Sequence, residues 1–405
     1  MVALGQGLQL FGVATQRDGK VIVAGDQRSR SGLRLVVARL TSSGRLDRSF
    51  NHGRVQFGPA QRTGGSIARA VAIQPDGKIL VAGVVTDRSG VGHAGMLVER
   101  FSPTGALDRR FGSGGVATLL GDTANGAAYA VALQRDGKII VAGSALGSDG
   151  LDRIALARLD ARGRPDRGFA AGGVRLAQGA QDLCREGAAA AVAVPPGGNL
   201  VVAGSVRPIL PTANAIVARF SSRGDLDRSF GVAGSFVVPA DVLGGGAVFF
   251  QALAVAGDGS LAAAGSAAGG GATPAYALAA RLSRDGRALG SFGRGGLVSL
   301  PSVRASVAPS PLPGANAVGI TRRGVVVLAG SFQDSGRTEV SLSSLNARGS
   351  LIGSGSAVTV LSKSLASGGA NALAIDPQGQ ILVAGTSNNF VAYNGIVLRY
   401  HGFGR

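Results

Sequence analysis

The chain has 405 residues, 41 Lys and Arg against 23 Asp and Glu for a formal net charge of +18, 67 glycines and no tryptophan. A hydrophobic share of 45% excludes a disordered chain, and the longest apolar stretches, such as residues 246–257 and 187–195, fall short of a bilayer span, which needs ~20 residues. A single cysteine, Cys184, excludes an internal disulfide framework.

Residues 1–9 contain no basic segment followed by an apolar run, so they predict no signal peptide. From there the chain repeats. Ala-Gly closes an apolar run at Gly25, Gly83, Gly143, Gly204, Gly265, Gly330 and Gly385, at spacings of 58, 60, 61, 61, 65 and 55 residues. Six residues before each stands another glycine, preceded by Asp at Asp18, Asp76, Asp136 and Asp258, and Asp-Gly between apolar runs marks a hairpin.

The second unit shows the pattern. Residues 69–74 read as a strand, 75–77 as a turn, 78–83 as a second strand, 96–101 as a third ending near Arg100, and 116–119 as a fourth. Four antiparallel strands per unit with no helical period predict an all-β fold, a seven-bladed β-propeller. The predicted blades cover residues 6–58, 59–120, 121–179, 180–240, 241–301, 302–361 and 362–405 plus 1–5, as one domain over 1–405. The last unit lacks a fourth strand, with Gly404 in its final turn, while residues 2–4 resemble the fourth strand at 116–119. The N-terminal strand is therefore expected to pair in the last blade and remove two free sheet edges.

Asp-Gly-Lys followed by a β-branched run to Ala-Gly, then Arg-Leu or Arg-Phe, then Leu-Asp-Arg-x-Phe, resembles the bacterial delta-60 repeat family. The likeness is strongest in units one to three. Unit four has Gly197-Gly198-Asn199, and unit six has Arg323-Gly324-Val325 and no Leu-Asp-x-x-Phe. The resemblance implies a propeller-like domain of undefined biochemical role, often in exported bacterial proteins. A bacterial secreted or cell-surface monomer is expected from it, with the cytoplasm as the alternative.

The repeated Arg39, Arg100, Arg158 and Arg219 occur in units that also carry Asp47, Asp108, Asp166 and Asp227, and unit six has lost both, with Ser344 and Ile352 there. Arginine can bridge a carboxylate and a turn carbonyl with its fork of donors, so these pairs read as structural clasps. Catalytic sets are scarce: His52, His93 and His401 fall in different units, Cys184 has no nearby histidine, and the glutamates are Glu99, Glu186 and Glu339. The chain is therefore predicted not to be an enzyme and to hold no cofactor or metal. The loop Ser148-Asp149-Gly150-Leu151-Asp152 offers oxygens for a cation but lacks the spacing of a calcium loop.

For function, the turns between first and second and between third and fourth strands keep their glycines, whereas the connections on the opposite face vary in length. A binding face is expected there. The small residues Gly12, Ala70, Ala130, Ala191, Ala252, Ala317 and Ala372 are taken as the second residues of the first strands. Just before them stand Phe11, Arg69, Tyr129, Ala190, Gln251, Asn316 and Asn371, varied where their neighbours are uniform. Phe11, Arg69, Tyr129, Gln251, Asn316 and Asn371 are the candidate ligand-binding ring at the channel mouth, for a glycan, peptide or protein. The alternative is a polyanion-binding module using the turn arginines Arg45, Arg48, Arg109, Arg110, Arg164, Arg167 and Arg228. A second alternative is an enzyme with an unrecognised site at the central channel.

Overall fold

The computed structural model describes residues 2–29, 32–59, 64–86, 93–120, 125–170, 172–177, 186–207, 212–243, 246–267, 276–301, 314–334, 337–352, 357–359, 367–388 and 393–400. His401, Gly404 and Cys184 lie outside them. So do most of the variable connections.

Alternating apolar runs broken by positive-φ glycines at the turns give short strands. After β1 (Val2–Gln6), blade 1 holds β2 (Leu8–Thr15), β3 (Val21–Ser29), β4 (Gly32–Leu40) and β5 (Gln56–Phe57), and blade 2 holds β6 (Ser66–Ile73), β7 (Ile79–Thr86), β8 (His93–Phe101) and β9 (Val116–Leu119). Blade 3 follows with β10 (Ala127–Leu133), β11 (Ile139–Leu146), β12 (Asp152–Leu159) and β13 (Val174–Leu176), and blade 4 with β14 (Glu186–Ala193), β15 (Leu200–Arg207), β16 (Asn214–Phe220) and β17 (Ser235–Val238). Blade 5 has β18 (Val248–Val255), β19 (Leu261–Ala267), β20 (Tyr276–Leu282) and β21 (Leu297–Pro301), and blade 6 has β22 (Ala315–Ile320), β23 (Val326–Asp334), β24 (Arg337–Leu345) and β25 (Ala357–Thr359). Blade 7 comprises β26 (Ser367–Ile375), β27 (Ile381–Asn388) and β28 (Tyr393–Tyr400).

Each of the seven sheets has four strands in sequential order, except the last, ordered β1-β28-β27-β26. Val2 pairs with Val397 and Ala3 with Ile396, all antiparallel. The expected seven-bladed architecture and its closure by the N-terminal strand are thus present. Among the described residues no helix is long and apolar enough to cross a membrane.

The second strands are the most deeply buried, β7 along its whole length. Neighbouring blades share apolar clusters, such as Ile22, Ala24 and Leu35 of blade 1 with Ile79, Val81 and Leu97 of blade 2. Burying such surface gains roughly 25 cal/mol per Å², so stacking supplies what one blade alone cannot.

Candidate functional site

Two repeated devices build the ring. The first sits at its inside. In every first strand the register with the second slips by one residue: between Leu10 and Gly12, Ala68 and Ala70, Ala128 and Ala130, Ala189 and Ala191, Phe250 and Ala252, Ala315 and Ala317, and Ala370 and Ala372. The extra residue in each bulge is Phe11, Arg69, Tyr129, Ala190, Gln251, Asn316 or Asn371. A bulge re-aims one side chain and leaves it outside the ladder. The varied ring therefore consists of the seven bulge residues. They stand at the second to fifth positions of their strands, so the small residues after them are third to sixth and not second as expected. The strands begin earlier than expected because the residues before the bulge, such as Leu8–Leu10, already pair with β3.

The bulge explains the repeated Ala-Gly. A Cβ at Gly25 would stand 1.8 Å from the carbonyl oxygen of Gln9, and one at Gly83 would stand 1.9 Å from that of Ile67. The same collision recurs at Gly143, Gly204, Gly265, Gly330 and Gly385.

Two of the bulge side chains bond to the next blade. The Asn316 amide donates to the Ala370 carbonyl at 2.8 Å, and the Asn371 amide donates to the Leu10 carbonyl at 2.8 Å and to Thr386 Oγ1 at 3.3 Å. The Arg69 guanidinium instead lies over the Phe11 ring, 4.9 Å from its centroid. Its Nε is buried with no hydrogen-bond partner. Tyr129 is half-buried and Gln251 exposed.

The second device is a latch on the opposite face. Arg39 Nε donates to Asp47 Oδ2 at 2.8 Å, Arg100 to Asp108 at 2.9 Å, Arg158 to Asp166 at 2.9 Å and Arg219 to Asp227 at 2.7 Å. Each guanidinium stacks on the Phe of its own turn, Arg100 at 4.5 Å from the Phe111 centroid. It also donates to a turn carbonyl of the next blade: Arg39 to Pro103, Arg100 to Ala161, Arg158 to Ser222 and Arg219 to Arg284. Arg399 of blade 7 reaches Ser42 of blade 1 in the same way, at 2.6 Å. The turn glycine of the next blade receives the Phe: a Cβ at Gly163 would sit 2.7 Å from the Phe111 ring. Burial alone would raise the Asp47 carboxyl, but hydrogen bonds from Ser49 and Lys20 and the Arg39 charge outweigh it and hold the group well below the usual carboxylate range.

The turn arginines Arg45, Arg48, Arg109, Arg110, Arg164, Arg167 and Arg228 are exposed on this face. They are interleaved with the exposed carboxylates Asp18, Asp76, Asp136, Asp225 and Asp285. Further exposed arginines on the same turns, Arg17, Arg135, Arg162, Arg223, Arg284 and Arg287, outnumber these carboxylates, so the face is net basic.

Sequence reasoning passed over three charged residues at the seam between blades 1 and 2. Asp26 follows the Ala-Gly of blade 1, where the other blades have Val84, Ser144, Ser205, Ser266, Ser331 and Thr386. It is 4% exposed, and burial raises its carboxyl to about 6 against the opposing pull of Arg69 and then Arg28. Glu99 stands where five of the other units have Ala or Ser, is fully buried, and is pushed up to about 8 by burial, with Arg34 opposing. Arg34 donates to the Gly58 carbonyl at 2.7 Å and lies over Phe57. A comparison of the seven units at each position, looking for lone charges, would have exposed Asp26 and Glu99.

The remaining candidates sit apart. His52 is exposed in the short turn Asn51–Gly53, and His93 opens β8. In the loop at 148–152 the Asp149 carboxylate takes a hydrogen bond from Arg153 Nη2. Among the described residues no group of three or more His, Cys, Asp or Glu is placed to hold a metal ion.

Seven four-stranded blades, a latched turn face and an inner ring of bulge residues define a β-propeller of repeated sequence. The family model described as "Domain of unknown function (DUF5122) beta-propeller" matches residues 16–50, 74–111 and 134–169, which lie in blades 1 to 3. No curated protein matches the sequence. Among solved structures, the polysaccharide lyase Uly1 is similar with a TM-score of 0.53 and 11% identity, covering 96% of this chain and 89% of that one. Sqt1 from Chaetomium thermophilum is similar with a TM-score of 0.50 and 13% identity, covering 99% and 97%. The structure of Sqt1 bound to the N-terminus of ribosomal protein L10 gives 0.49 and 13%, covering 98% of each chain. The first two of these likenesses show the fold. They also correct one expectation, that the chain is not an enzyme: a polysaccharide lyase shares this architecture. A short inventory of His and Glu therefore does not exclude chemistry, because a propeller can converge a few side chains from distant blades on its channel.

Proposed function

We propose that this chain is a ligand-binding propeller of the delta-60 repeat type, and that its site is the inner ring of bulge residues together with the variable face above it. Its partner is an extended polar chain, a glycan before a peptide. The protein is proposed to work as a monomer exported to the surface or surroundings of a bacterium.

One observation carries the reading: Arg69 projects from its bulge onto Phe11 with a buried, unpartnered Nε, beside the buried Asp26. An unmade hydrogen bond at a buried donor costs about 1–3 kcal/mol, so the protein itself leaves this guanidinium incompletely satisfied. Asn316 and Asn371 spend their amides on neighbouring backbone, which leaves Phe11, Arg69, Tyr129 and Gln251 as the part of the ring facing a partner. A second reading is supported by Asp26: a carboxyl that titrates near neutrality beside a guanidinium has the chemistry of a general acid or base at the channel.

A glycan array read with the parent and with Arg69→Ala plus Tyr129→Ala tests both. The double variant is expected to lose the parent's hits while melting as the parent does. An Arg109→Ala plus Arg110→Ala variant is expected to keep them. The opposite pattern would place binding on the turn face. Shortened glycans in the same incubations, lost in Asp26→Asn, would establish the second reading.

A further inference from the structure

Apolar clusters fill the space between neighbouring blades, and at the seam between blades 1 and 2 buried charged side chains join them. Arg69 and Asp26 stand at its channel end, Arg34 and Glu99 at its outer end, and Arg28 is exposed beside Asp26. The Nε atoms of both Arg34 and Arg69 are buried without hydrogen-bond partners. Three guanidinium groups, Arg28, Arg34 and Arg69, thus stand with two carboxyls, Asp26 and Glu99, both pushed up by burial.

We infer that the channel end of this seam binds the carboxylate of an acidic sugar, held by the Arg69 guanidinium against Phe11. This rests on the ring being the ligand site and names the class of ligand. A guanidinium fork presents two parallel donors to a carboxylate, and stacking on Phe11 fixes its plane. The rest of the ring favours a sugar acid over a peptide or a polyanion. Its partners are a phenol and an amide, Tyr129 and Gln251, which suit hydroxyl groups. It holds one cation, which suits one acid group among many hydroxyls. A peptide would call for apolar pockets at alternate positions, and a polyanion for a row of cations. Asp26, buried behind Arg69, competes with the ligand for the same guanidinium.

Calorimetric titration of the full chain with oligogalacturonate, with the same oligomer methyl-esterified, and with poly-glutamate tests the inference. The parent is expected to bind oligogalacturonate at least tenfold tighter than the ester. Arg69→Gln is expected to lose at least tenfold, Arg69→Lys to recover only part, and Asp26→Asn to bind tighter than the parent. Each variant's melting curve shows that it is folded. Equal binding of acid and ester overturns the inference and leaves the ring as a site for neutral glycans. Tighter binding of poly-glutamate makes the ligand a peptide and overturns it. Loss of oligogalacturonate in Arg109→Ala plus Arg110→Ala overturns the inference and the location of the site together. Failure of the parent to bind either oligomer also overturns it.

Discussion

Two carboxyls at one seam give this propeller an unusual response to pH. Glu99 is raised from an ordinary 4.5 to about 8, and Asp26 from 3.8 to about 6. Both are therefore protonated more readily in the folded than in the unfolded chain. Their contribution to stability is complete below the unfolded values and is lost as pH climbs through 6 and then 8. At about 1.4 kcal/mol per pKa unit, Glu99 alone accounts for a few kcal/mol. The clasp carboxylates Asp47, Asp166 and Asp227 are shifted downward, so their contribution is lost only when pH falls below the ordinary carboxylate range. The melting temperature is expected to peak near pH 4–5 and decline toward pH 9, scaling with those shifts. Glu99→Gln keeps the shape and removes the charge. It should match the parent at pH 5 and melt higher at pH 9. A parallel decline in both proteins would show that Glu99 does not titrate in this way.

At the scale of the strand, the bulge accounts for the sevenfold Ala-Gly better than any turn does. Gly83→Ala sets a methyl against the Ile67 carbonyl, a backbone atom that cannot swing aside. The expected loss is more than about 3 kcal/mol in urea unfolding, at the large end for a single substitution. Gly257→Ala, with nothing within 4 Å of its added methyl, serves as the neutral comparison. Equal stability of the two variants would refute the bulge as the reason for the glycine. The strands and turns themselves were legible in the sequence, because period-two apolar runs and Asp-Gly turns are local signals. The ring was legible as variation at one position of the repeat. That each ring residue is a bulge was not, since a bulge is defined by its partner strand. Asp26 and Glu99 were hidden for a related reason: each looks like an ordinary polar residue until its unit is aligned with the other six and the seam it faces is known.

For the whole molecule, closure rests on β1. Gly7 donates to the Tyr393 carbonyl at 2.7 Å, and Leu4 packs into the cluster shared by blades 7 and 1. Removing residues 2–5 would expose the edge of β28 and should lower the melting temperature by several degrees. The shift is smaller than in a short domain, because the entropy of unfolding grows with size. An unchanged melting curve would mean that the ring holds without its closing strand.

The latch runs one way round. Blades 1 to 4 and blade 7 each grip the successor through an arginine that reaches forward, and in blades 1 to 4 a carboxylate steadies that arginine. In blade 5, Arg281 has no such carboxylate and bonds Ser260 instead, with a buried Nη1 left without a partner, and blade 6 has Ser344 where the arginine would be. The circle therefore has a built-in fault line at blade 6. Under heat or denaturant the disc would part there first, like a bracelet at its clasp, while blades 1 to 4, which carry the charged seam, stay fastened as one arc.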